Sequence, residues 1–137
     1  MRLCANTGSR LHLIHPLGFE LDDKRMRRAG LDYMDWKYVE QHASYSDCLH
    51  NISYRRLFAC STKGKQSYAQ VKFKPHDAFL FGPETRGLPT EILVDFQPQN
   101  VLRLPMLADS RSINLSNATA IFLYEAWRQN DFAGAGN

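Results

Sequence analysis

No stretch of this 137-residue chain approaches the roughly 18 uninterrupted apolar residues that a membrane span requires, and Met1-Arg2-Leu3-Cys4-Ala5-Asn6 turns polar too soon for a signal peptide. The expectation is a cytoplasmic protein with no membrane partner. Cysteine is scarce: Cys4, Cys48 and Cys60 are odd in number, widely spaced and form no CxxC pair, so the spacing indicates neither a disulfide framework nor a zinc site. Among the five histidines, His12 and His15 differ by an odd number and point to opposite faces of one strand, so no metal is expected. Neither sign of charge dominates. The formal net charge of +3 permits a nucleic-acid partner without demanding one.

What is present fits one globular domain covering residues 1–137, with residues from about 132 onward as a frayed tail. Hydrophobic content of 44% against 23% charged residues supplies a core. Arg10 to Ile14 reads as a strand ended by a Pro16-Leu17-Gly18 turn, after which Asp22 or Asp23 caps a short basic helix ending before Gly30. Lys24, Arg25, Arg27 and Arg28 form the sharpest basic cluster, which is either a solvated helix face or a phosphate contact. Trp36 to Gln41 reads as a strand and Ser46 to Asn51 as a helix. Leu57-Phe58-Ala59-Cys60 and Ala78-Phe79-Leu80-Phe81 are continuous apolar runs, the pattern of strands covered on both faces in a parallel sheet. Pro89 to Phe96 predicts a helix with proline in its first turn, Val101 to Leu104 a strand, and Asn114 to Asn130 a helix apolar on nearly every side. Such a helix is buried in the domain or against a partner subunit.

Two loops carry the chemistry. Phe81-Gly82-Pro83-Glu84-Thr85-Arg86-Gly87-Leu88-Pro89 sets two glycines and two prolines around a Glu and an Arg, making a loop both rigid and open to close approach. Leu104-Pro105-Met106 then leads to Asp109-Ser110-Arg111-Ser112-Ile113-Asn114-Leu115-Ser116-Asn117. In α/β sheets ligands bind beyond the carboxyl ends of strands, so Cys60, Phe81 and Leu104, each at a strand end, are expected to line one crevice.

Taken together, Phe81 to Pro89, Leu104 to Met106 and Ser110 to Ala118 resemble the second and third motifs of the SPOUT RNA methyltransferases, most closely the small TrmL type that methylates the 2'-oxygen of cytidine or uridine 34 in tRNA. The segments Arg2 to Gly8 and Asp23 to Tyr33 resemble that type as well. The resemblance implies an α/β fold, a parallel sheet with helices on both faces and a deep C-terminal trefoil knot, a rare exception to unknotted topology. It implies a homodimer that binds S-adenosylmethionine and tRNA. By motif position the adenosyl pocket falls on Cys60, Gly82, Leu104 and Ser112, Arg2 matches the arginine used at the reacting ribose, and Arg111, Asn114 and Tyr124 are substrate-binding or site-completing. Other readings remain open for several of these residues: helix capping for Ser112 and Asn114, core packing for Tyr124, and a mutual ion pair for Glu84 and Arg86.

The family begins with an apolar strand and a proline-rich loop before Arg-Leu-Cys-Ala-Asn-Thr-Gly, whereas Met1 here directly precedes Arg2, so a sheet without its N-terminal strand is expected. Two alternatives to the tRNA enzyme follow: a non-catalytic RNA-binding or dimerisation module of the same fold, and a 2'-O-methyltransferase acting on another RNA.

Overall fold

The computed structural model describes residues 1–17, 28, 30 and 33–136. Lys24, Arg25 and Arg27 of the basic cluster, and the capping residues Asp22 and Asp23, lie outside the described residues; Arg28 is helical and exposed. The chain forms two compact units, Met1–Ser53 and Tyr54–Asn137.

In the first unit, helix α1 (Arg2–Thr7) buries Cys4 and stops at Gly8, whose φ of 70° suits the left-handed position that ends a helix. Strand β1 (Leu11–Ile14) pairs in parallel with β2 (Val39–His42), in the register Leu11 to Val39, His12 to Glu40 and Ile14 to His42. A single helical turn, α2 (Tyr33–Trp36), precedes β2. The strand expected over Trp36 to Gln41 is therefore shifted: Trp36 ends a helix, and the strand starts at Val39. Strand preference of aromatic residues is weak enough for the surroundings to override it. Helix α3 (Tyr45–Asn51) opens at Ser44, whose side chain accepts from the Asp47 amide at 3.1 Å, and it buries Cys48.

The second unit holds a four-stranded parallel sheet in the order β4-β6-β3-β5, from β3 (Leu57–Cys60), β4 (Gln66–Ser67), β5 (Ala78–Leu80) and β6 (Val101–Arg103). Central strands β3 and β6 carry the most buried residues, Phe58, Ala59 and Leu102, as strands flanked on both edges require, although β6 ends in the exposed Arg103. Phe58, Phe73, Leu102 and Phe122 make the core, with Phe73 edge-on to both Phe58 and Phe79 and Phe122 meeting Tyr68, Phe79 and Phe81. Each buried aromatic of this kind stabilises by roughly 1.5–3 kcal/mol.

Phe122 comes from α5 (Leu115–Gln129), half-buried along most of its length. Its last turn reaches across to residues 71–73: Gln129 accepts from the Phe73 amide at 2.7 Å and donates to the Val71 carbonyl at 3.0 Å, while Asn130 donates to the Phe73 carbonyl. Beyond it, Phe132 packs edge-on to Trp127, and the Trp127 indole donates to the Ala133 carbonyl at 2.9 Å, so the chain turns back on the helix over the stretch expected to fray. The helix expected over Pro89 to Phe96 is one turn, α4 (Thr90–Leu93), with Pro89 before it as N-cap rather than inside. Val94, 71% exposed, offers no apolar face that a longer helix would bury.

Arg56 grips Asp77 with two donors, Nε at 3.0 Å and Nη2 at 2.6 Å, and Asp77 also accepts from the Lys74 amide. This fork fixes the loop ahead of β5, and the hydrogen bonds from Asp77 hold the Arg56 guanidinium above its ordinary pKa.

Candidate functional site

A cavity of about 240 Å³ opens in the second unit beyond the carboxyl ends of β3, β5 and β6. Three loops make it. After Cys60 the chain turns through Ser61, Thr62 and Lys63, where the Ser61 amide donates to the Leu102 carbonyl at 2.9 Å and the Ser61 hydroxyl accepts from the Lys63 amide at 3.1 Å. Gly64 closes the turn against β6, since a Cβ there would stand 2.7 Å from the Val101 carbonyl oxygen.

The second loop, Gly82 to Leu88, is tied by the amides of Arg86 and Gly87 donating to the Pro83 carbonyl, at 3.3 and 2.8 Å, with Gly87 at a φ of 68°. Leu88 is buried and anchors its far end. Gly82 lines the cavity, and glycine is also required there inside the loop: a Cβ would overlap the backbone of Gly87 and Leu88, so its absence lets the two ends of the loop pack together.

The third wall is Ser112, Ile113, Leu115, Ala118 and Phe122 at the start of α5, with Leu104 and Met106 below. Thus Cys60, Gly82, Leu104 and Ser112 line one cavity. The strand ends differ by a residue from expectation: β5 stops at Leu80 and β6 at Arg103, so Phe81 and Leu104 are the first residues past their strands. Burial holds the Cys60 thiol well above its ordinary pKa, so it faces the cavity as a neutral group.

Other expected residues lie elsewhere. Asn114 is the N-cap of α5, its Oδ1 accepting from the Asn117 amide at 2.9 Å, and its side chain does not line the cavity. Arg111 is exposed on the loop before it, and Tyr124, 44% exposed, stacks edge-on to Trp127. Glu84 and Arg86 both line the cavity rim and are exposed, with no ion pair between them. Arg2 belongs to the first unit: its guanidinium donates from Nε to Asp35 Oδ1 at 3.4 Å and from Nη2 to the Gly30 carbonyl, with Asp35 almost fully buried. Leu88 and Met106, within the two expected loops, line the cavity too, and Lys63 on the loop after β3 joins them without having been expected there. The Lys63-Gly64 pair after an apolar strand was the available signal for it.

No helix among the described residues is long and apolar enough to cross a membrane. The tRNA (cytidine(34)-2'-O)-methyltransferase of Saccharophagus degradans is 57% identical over 135 residues, 98% of this chain and 88% of the relative. A solved chain from Bacillus anthracis is 37% identical with a TM-score of 0.89, covering 99% of this chain and 87% of that one. A structure concerned with 2-OH methylation of C/U34 on tRNA is 41% identical with a TM-score of 0.83, covering 95% of this chain and 80% of that one. Residues 1–124 match the family described as SpoU rRNA Methylase, and the chain belongs to that family.

Proposed function

We infer that the chain is an S-adenosylmethionine-dependent RNA 2'-O-methyltransferase whose substrate is the wobble nucleotide of tRNA, cytidine 34 or a modified uridine 34. The observation that supports this most is the convergence of Cys60, Gly82, Leu104 and Ser112 on one cavity at the ends of three parallel strands, in a chain 57% identical to an enzyme of that name. The residues suit the cofactor: Leu88, Leu104, Met106 and Ile113 offer apolar walls for a flat ring, and the tightly turned backbone of Gly82 to Leu88 offers donors and acceptors beside it.

Bound there, S-adenosylmethionine supplies an electrophilic methyl group on a sulfonium, needing no metal to activate it. The protein must then hold the ribose 2'-oxygen in line with that methyl and let its proton leave. Arg2 is the group assigned to the ribose, on its place in the family motif. An arginine stays protonated near neutral pH, so its part is to hold a phosphate or stabilise the developing alkoxide rather than to take the proton. Asp35 and the Gly30 carbonyl fix its orientation. Arg111, exposed beside the third wall, and Asn114 and Tyr124 on α5 contribute to the RNA side.

The family match runs through both compact units, and we take residues 1–137 to act as one knotted methyltransferase domain working as a homodimer in the cytoplasm. Exposed Leu107 and Tyr124 and the apolar flanks of α5 supply a surface for pairing. Incubation of the protein with tRNA and S-adenosylmethionine carrying a labelled methyl group, followed by nucleoside mass spectrometry, is the test. A 2'-O-methylated residue at position 34 supports the reading. Label on another nucleotide or on ribosomal RNA moves the substrate, and cofactor binding without transfer leaves a binding module.

A further inference from the structure

The geometry points to a zinc(II) site in the first unit, formed by His12, His42, Cys48 and Glu40 and separate from the methyl-transfer cavity. The parallel register opposes His12 to Glu40, so these two share a face of the β1–β2 pair, and His42, two residues beyond Glu40, shares it as well. Cys48 joins them from α3, immediately after β2. One donor atom from each of His12, His42 and Cys48 falls within 4.8 Å of the others. His12 Nδ1 and His42 Nε2 are 2.9 Å apart, and Glu40 Oε2 is 3.5 Å from the first and 3.9 Å from the second.

Tetrahedral zinc with bonds of about 2.0–2.3 Å sets its donor atoms roughly 3.3–3.8 Å apart, so the two imidazole nitrogens must part by a few tenths of an ångström while Cys48, now within 4.8 Å, closes in by up to about 1 Å and the half-exposed Glu40 side chain swings toward the ion. Two imidazoles, a thiol and a carboxylate are zinc's donors rather than those of magnesium or calcium. His42 and Cys48 are buried, while Glu40 is half exposed and gives the ion a way in. On binding, the Cys48 thiol loses its proton to solvent, and the hydrogen bond between the histidines is exchanged for two metal bonds: the ring that donated gives up that proton and takes one on its other nitrogen by exchange with solvent, while the ring that accepted already carries its proton there. The ion would tie β1, β2 and α3 together without entering the methyl-transfer chemistry. His15 lies just past the end of β1, and the histidine that His12 meets stands instead on the neighbouring strand.

Cobalt(II) titrated into the reduced, chelator-treated full-length protein reports on it. The expected result is one ion per chain, the intense ligand-field absorption of a tetrahedral site, a thiolate-to-cobalt charge-transfer band, and displacement by zinc. Cys48→Ala should abolish that band and weaken zinc binding by at least ~100-fold, whereas Cys4→Ala should change neither. Glu40→Gln, at a half-exposed position that tolerates change, should weaken zinc by ~10–100-fold, and this variant decides the matter if Cys48→Ala does not fold. No uptake, a weak six-coordinate spectrum, a charge-transfer band that survives in folded Cys48→Ala, or unchanged affinity in Glu40→Gln overturns the site.

Discussion

Gly82 and Gly87 sit back to back, so that the first residue of the cavity loop has room for a hydrogen only because the loop returns directly onto it. Gly82→Ala should therefore force the two strands of the loop apart, at a cost of about 1–3 kcal/mol for overpacking, and should weaken S-adenosylmethionine by an order of magnitude or more. Gly87→Ala meets no atom within 4 Å but must hold a φ of 68°, costing ~1–2 kcal/mol from backbone strain. Thermal unfolding together with calorimetric titration of cofactor separates the two. Equal losses of affinity and stability in both variants would contradict the packing explanation.

Removing Asp77 leaves Arg56 without its paired acceptor and frees the Lys74 amide. The side chain of Asp77 is 2% exposed and that of Arg56 38%, so the loss should fall below the ~3–5 kcal/mol seen for fully buried pairs, at about 2–3 kcal/mol. Arg56→Lys keeps the charge but not the fork, and should itself cost more than half as much. Urea denaturation of Asp77→Ala, Arg56→Lys and the double variant measures the coupling.

Asn114 has been placed both at the substrate and at the helix start. Asn114→Ala should cost about 1 kcal/mol through the lost cap, and Asn114→Asp, which also accepts from the Asn117 amide, should cost almost nothing. If the amide also contacts RNA, the aspartate variant keeps full stability and loses tRNA affinity, which filter binding would show.

Glu125 accepts from Arg128 and from Gln129, and these hydrogen bonds hold its carboxyl below the ordinary value of 4.5. The unfolded chain then binds the proton more readily than the folded one. This contribution is fully present above about pH 4.5 and is lost as pH falls through the lower folded value. Melting temperatures of the wild-type protein and Glu125→Gln, measured from neutral pH down into this range, should converge on the acid side.

Arg111 stands exposed next to Ser112 at the cavity wall. If it meets a phosphate, Arg111→Ala should weaken tRNA binding alike for different wobble bases and reduce the slope of log affinity against log salt by about 1. An unchanged slope would return it to solvent.

Several of these features were legible from residue order alone. Leu57 to Cys60 announces a strand covered on both faces because nothing polar interrupts it, and Phe58 and Ala59 are among the most buried residues. The cavity followed from strand ends and loop glycines, whose positions depend on local chain geometry. Other parts were not legible. Helix α1 has no side-chain cap and buries one residue, and β4 is two residues long, so neither writes a periodic pattern. The meeting of His12 with His42 depends on how two strands 30 residues apart are registered, which composition does not encode. The helix Tyr33–Trp36 shows surroundings winning over the strand preference of its aromatic residues.

The hydrogen bonds from Gln129 and Asn130 to residues 71–73 also set an order of events at the ribosome. The middle segment is synthesised long before the two side chains that complete its backbone pairing, and Phe122 reaches the core equally late. A nascent chain stalled before residue 122 would hold the sheet strands without their aromatic plug or their last acceptor, so this unit finishes folding only once residues 122–130 have emerged. Chaperone contact during synthesis should accordingly persist until that stretch is free.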